Sequence, residues 1–159
     1  MDHPYGPLPL DLQDKPPGQA LKEVRKRLHK EVTKTVAAFL DTSGGTLLIG
    51  VDDSGAVLGI GPDFAYLQRD KQHADGWLLL LRNVISNALD PDIWSAIHAS
   101  LVRHGPQVVA VVHCPPRTCE TWHREDDEER FYIRASNATH ALNGPALIRY
   151  IRARWPAGP

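Results

Sequence analysis

Residues 37–55 read Ala37-Ala38-Phe39-Leu40-Asp41-Thr42-Ser43-Gly44-Gly45-Thr46-Leu47-Leu48-Ile49-Gly50-Val51-Asp52-Asp53-Ser54-Gly55, and a change of hydrophobic period inside this stretch sets the fold class. On its N-terminal side Leu21, Val24, Leu28, Val32, Val36 and Phe39 recur at helical spacing, one face of a helix about six turns long. The Gly44-Gly45 pair ends that helix, as a C-cap and strand entry where positive φ is needed. Residues 46–51 then read as a strand, 52–55 as a tight acidic turn and 56–60 as a second strand, which predicts a hairpin directly after the helix.

Working outward, residues 76–89 have helical periodicity and stop at Asp90-Pro91, because proline disfavours a helical predecessor. Strands are expected at 93–103 and 107–113 around His104-Gly105-Pro106. The run Val108-Val109-Ala110-Val111-Val112 is apolar throughout and predicts a strand buried on both faces. Residues 114–129 form a polar excursion whose acidic run, 125–129, suits a solvated hairpin tip. Residues 131–134 return as a strand. Asn143 is placed to cap a last helix, with Pro145 in its first turn and Leu147, Ile148, Ile151 and Trp155 toward the core. The order α-β-β-α-β-β-β-α predicts a single α+β domain, a mostly antiparallel or mixed sheet carrying a long N-terminal helix, a middle helix and a C-terminal helix.

A chain of 159 residues suits one core, assigned here to residues 18–156. Residues 1–17 contain Pro4, Pro7, Pro9, Pro16 and Pro17 and read as an extended or disordered leader without the apolar core of a signal peptide. No apolar run approaches the ~20 residues of a membrane span, so a cytoplasmic protein is expected. Cys114 and Cys119 alone make no disulfide framework and read as free thiols. The net charge of −1 hides an asymmetry. Residues 17–40 carry six cations against two acids, and residues 130–159 carry five arginines with no acid, so the rest of the chain must sum to −10. Two basic segments on an acidic body point to a polyanionic partner.

The run from Lys34 to Gly55 resembles the signature of the Schlafen AlbA-like (AlbA_2) domain, written there as a helix, "AF-N-T-x-G-G", a strand "LLIGV" and an acidic turn. Phe131-Tyr132-Ile133-Arg134 followed by Ser136-Asn137-Ala138-Thr139 is similar to the closing "FY-x-R-x-G-N-S-T" of that family. Together the matches span roughly residues 19–155. The resemblance implies a nucleic-acid-binding module, with RNA or DNA as partner, and some animal Schlafens are metal-dependent endoribonucleases. Those ribonucleases place paired glutamates in a motif similar to "E-S-x-x-x-E-F-K" ahead of the first helix. Here no glutamate precedes Glu23, which argues for a domain without catalysis of its own. Asp41 stands where the family has asparagine, and Ser136 where it has glycine.

On the first helix, Glu23, Arg27, Glu31 and Lys34 share a flank at i,i+4 and i,i+3 spacings and cancel one another. Lys22, Lys26, His29 and Lys30 line the other flank with no acid beside them on the helix, a stripe that fits a phosphate backbone. A solvated helix face is the competing reading. Arg134, Asn137 and Thr139 of the closing motif and Arg149 and Arg152 of the last helix complete the candidate binding set. Asp52 and Asp53 match an acid that binds magnesium or manganese in nuclease members, whereas turn chemistry alone also explains them. His113, Cys114, Cys119 and His123 have atoms suited to zinc at a spacing that is not a standard zinc pattern. A ribonuclease using Asp52 or Asp53 is one alternative function. A protein-interaction or homodimer module using sheet edges and Trp122 is another.

Overall fold

The computed structural model describes residues 7–157. These residues form an α+β domain of two antiparallel sheets and three α-helices. Helix α1 (Pro17–Leu40) is followed by β1 (Gly45–Ile49), α2 (Ala74–Ala88), β2 (His98–His104) and β3 (Gln107–Cys114). Strands β4 (Trp122–Glu125), β5 (Glu128–Ala135) and β6 (Ala138–Leu142) come next, then α3 (Gly144–Arg154). The first sheet has the order β1-β3-β2 and the second β4-β5-β6.

Helix α1 lies between the sheets, touching β1 and β3 on one side and β4, β5 and β6 on the other. That position explains why Val36, Ala37, Ala38 and Leu40 are all fully buried, although a single-faced helix buries only every third or fourth residue. The small alanines let both layers approach the helix. Toward its N-terminus only Ala20 and Val24 are buried, and Leu28, expected on the core line, is largely exposed. The inner face of the first sheet is set by register: Leu47 opposite Val112, Ile49 opposite Ala110 and Leu101 opposite Ala110. These meet Trp77, Leu81 and Ile85 of α2 in the main core.

Several expectations change. Residues 56–60 are not a strand: β1 pairs with β3, and the predicted hairpin survives only as a single bridge between Val51 and Val57. Gly50 (φ +97°) turns the chain there, and its carbonyl accepts from the Leu58 and Gly59 amides, which uses the bonds a ladder would need. Strand β3 buries Ala110, Val112 and Cys114 on one face, and on the other only Val109 is buried. Val111 on that second face is half-buried beside an exposed Leu48 and His113 is exposed, so the expected double-sided burial holds at Val109 and fades toward the C-terminal end of the strand. Strands β4, inside the expected polar excursion, and β6 have no counterpart among the predicted strands. In α3, Ile148 points outward, and the Asn143 side chain makes no cap hydrogen bond at the N-cap position it occupies. Trp122 is half-buried with its ring edge-on to Phe131.

Part of the proline-rich leader is also structured. Residues Leu10–Leu12 form a turn of 3-10 helix, Leu12 is fully buried against Ala20 and Val24, and Asp11 pairs with Arg27. Residues 1–6 of that leader lie outside the described residues.

Candidate nucleic-acid interface

The two signature motifs meet at the C-terminal end of α1. Asp41 caps the helix, and its carbonyl accepts a 2.7 Å bond from the Tyr150 hydroxyl of α3. Thr42 Oγ1 accepts from the Arg134 amide at 2.9 Å, and the Thr42 carbonyl accepts from Arg154 at 2.7 Å. Gly44 adopts φ +78°, and a Cβ there would stand 2.8 Å from the Cys114 carbonyl oxygen. Its amide returns to the Phe39 carbonyl, so the glycine closes the helix and admits β3 alongside. The signature is thus a junction of α1, β5, α3 and the 116–121 segment.

This junction decides how available the closing-motif candidates are. The Arg134 guanidinium stacks over Phe39 and donates to Thr139 Oγ1 at 3.0 Å. Asn137 is exposed in the β5–β6 turn. Arg149 and Arg152 are exposed on α3, without an ion pair among the described residues.

Asp41 itself is fully buried. Its Oδ1 accepts from the Thr121 amide at 2.8 Å while Oδ2 has no partner among the described residues. Desolvation pushes its pKa up to about 8, against the opposing pull of the Thr121 bonds. An asparagine there, as in the family pattern, would carry no such ionisation cost.

On α1 the paired flank forms as expected, with Glu23–Arg27 at 3.6 Å and Glu31–Lys34 at 2.8 Å. The stripe divides. Lys22 and Lys26 are exposed and have no carboxylate partner among the described residues. Lys30 is bound to Glu125, 95 residues along the chain at the β4–β5 hairpin. His29 is half-buried at a cavity, and burial, aided by the Arg25 charge, lowers its pKa. The hairpin tip is solvated at Asp126-Asp127, yet Glu125 is drawn inward to this contact. The two basic segments are also far apart. Lys22 precedes Asp41, where α3 docks, by 19 residues, which at the helical rise is about 28 Å.

The cavity beside His29 holds about 850 Å³ and is bounded by α1, β1, the segment 50–68 and α2. Its walls are mainly Leu, Ile and Val with Trp77 and Tyr66, and Arg25 of α1 lies 4.4 Å over the Tyr66 ring at the rim. Sequence reading missed this cavity because its walls come from four separated segments. The exposed Leu28 was the one available sign, and helical periodicity assigned it to the core.

The proposed metal ligands do not converge. Asp52 Oδ1 accepts from the Ser54 amide at 2.9 Å, the Ser54 hydroxyl at 2.6 Å and the Ala56 amide at 2.9 Å, and these bonds hold its carboxyl below the usual range. Its geometry is that of a turn, with Asp53 exposed beside it. His113 faces outward near Thr46, whereas Cys114 is buried on the opposite face with its thiol pushed up to about 12 by burial. Cys119 is exposed. His123 is buried with Nε2 2.8 Å from Thr33 Oγ1. Among the described residues no group of three His, Cys, Asp or Glu side chains is placed to hold an ion.

Two packed antiparallel sheets around a long helix with a basic end define an α+β module. The chain belongs to the Schlafen AlbA_2 family, whose model matches residues 20–143. A solved structure similar to it is that of the DIP2311 protein from Corynebacterium diphtheriae, with a TM-score of 0.53 and 21% identity over 80% of this chain. The likeness concerns the fold, and this chain spans 20% of that protein's length. No helix among the described residues is long and apolar enough to cross a membrane.

Proposed function

We propose that this domain binds RNA or DNA through the N-terminal half of α1 and does not cut it. The observation that carries this reading is the exposed pair Lys22 and Lys26, one helical turn apart with Arg25 between them and no carboxylate partner among the described residues. Such cations neutralise phosphates and release counterions on binding. The family resemblance supports the same partner class. Lys30 is left out of the contact set because Glu125 occupies it. The reading without cutting is supported by the lack of a glutamate in residues 1–22 and by Asp52 serving its own turn.

The test is affinity for RNA and DNA as a function of salt. The double variant Lys22→Glu/Lys26→Glu is expected to weaken binding at least tenfold and to lower the salt slope by about two units. Lys34→Glu, on the paired flank, is the control and should retain most of the affinity. Transfer RNA should stay intact in magnesium or manganese. Cutting that disappears in Asp52→Ala would replace this reading with a ribonuclease.

A further inference from the structure

We infer that the 850 Å³ cavity receives an unpaired base of a single-stranded nucleic acid, with the phosphate beside that base held by the α1 cations. The inference rests on the nucleic-acid reading above and adds to it the form of the nucleic acid and the place where its base goes.

The basic row and the cavity are continuous. Lys22 has Arg25 and Lys26 as its i+3 and i+4 neighbours, and His29 stands at i+3 from Lys26 and i+4 from Arg25. Arg25 and His29 both line the cavity, so Lys22 and Lys26 form the next row outward from its mouth. A strand following the cations passes the opening.

The lining suits a base. Aliphatic walls and the exposed Tyr66 ring offer surface for a planar π-face, and Arg25 over Tyr66 at 4.4 Å is a stack that an entering base extends. Polar groups line the same space, the carboxylates of Glu31, Asp52 and Asp63 among them. The side chains of His29, Gln68 and Asn83 line the cavity and make no hydrogen bond with the described residues, so their donors and acceptors are open to a base edge. A purely aliphatic ligand would use the walls and leave these groups and the cations unemployed. Volume agrees, since ligand sites run from about 300 to 1,000 Å³. A paired base cannot enter, because its edge and both faces are already covered in a duplex.

The rim is open: Leu28, Leu48, Leu58, Tyr66 and Leu79 all line the cavity and are 38–54% exposed. Substitutions there test the site without removing core.

Fluorescence anisotropy of labelled single strands of about 12 nucleotides, and of the matching duplex, provides the measurement. Single strands are expected to bind at least tenfold more tightly than duplex at equal salt. Tyr66→Ala and Leu79→Gln, each checked for folding by circular dichroism, should each weaken single-strand binding about tenfold at unchanged salt slope. An environment-sensitive base analogue within the strand should report burial that both variants abolish, and Leu79→Gln carries the test if Tyr66→Ala unfolds. If both variants bind like the wild type while Lys22→Glu/Lys26→Glu does not bind, the cavity site is refuted and the nucleic-acid reading stands. If the wild type binds neither single strand nor duplex, both fall. A free nucleoside monophosphate competing as well as the strand would refute the strand as the source of the base.

Discussion

The two halves of α1 belong to one helix and do opposite things. Its C-terminal half is wedged between two sheets and ends in a junction that Tyr150, Arg134 and Arg154 reach from distant parts of the chain. Its N-terminal half is held on one side by Leu12 and leaves Lys22, Lys26 and Leu28 facing outward beside a cavity. The signature residues cluster in the C-terminal half, whereas the exposed Lys22 and Lys26 lie in the N-terminal half. The comparison separates what defines the family's fold from what a member can use to bind.

The sharpest way to break this contrast is to truncate one side chain in each half. Leu40→Ala, at a fully buried position, should cost about 2–5 kcal/mol in urea unfolding. Leu28→Ala, at a position 42% exposed, should cost under about 1 kcal/mol. Equal losses would mean that the N-terminal half is packed as tightly as the C-terminal half.

Asp41 gives the junction a pH signature. Because its folded pKa is raised to about 8, the native state keeps a proton that the unfolded chain releases near its ordinary value of 3.8. Its contribution is therefore full below about pH 4, and stability falls as pH rises through that window, levelling above pH 8. Asp41→Asn keeps an oxygen for the Thr121 amide and should remove most of this slope, stabilising the protein at pH 8. Urea midpoints from pH 4 to 9 measure it, and an unchanged slope would show that Asp41 is ionised in place. Buried His123, whose pKa is lowered mainly by desolvation, acts with the opposite sign: its contribution is present above about 6.5 and is lost as pH falls below it.

The two basic segments sharpen the comparison further. Arg149→Glu/Arg152→Glu on α3 should weaken binding less than Lys22→Glu/Lys26→Glu, because α3 docks at the far end of α1 from those lysines. Equal losses would place both patches along one bound strand.

The smallest effect concerns the β5–β6 turn. Ser136 sits at φ +54° where the family pattern has glycine, a conformation that L-residues adopt at a cost. Ser136→Gly should stabilise the domain by up to about 1 kcal/mol, offset in part by glycine's larger unfolded entropy. Thermal melts resolve a change of this size.

The sequence by itself determined α1, β1, α2, the β4–β5 tip and the family. Each of these is written in local terms: an apolar residue every third or fourth position, a branched run, a glycine pair, an acidic turn. It also showed which flank of α1 pairs internally, since i,i+4 neighbours are fixed by helix geometry alone. The partner of β1 was decided elsewhere. Backbone hydrogen bonds carry no side-chain label, so nothing in residues 46–60 announces that the matching strand begins at Gln107. Only the tertiary structure took Lys30 out of the basic stripe, by bringing Glu125 to it across 95 residues. It also engaged Arg134 and Thr139 with each other, and it opened a cavity between segments that no local pattern connects. Local periodicity records which face of an element is apolar, and what stands opposite that face is a property of the assembled chain.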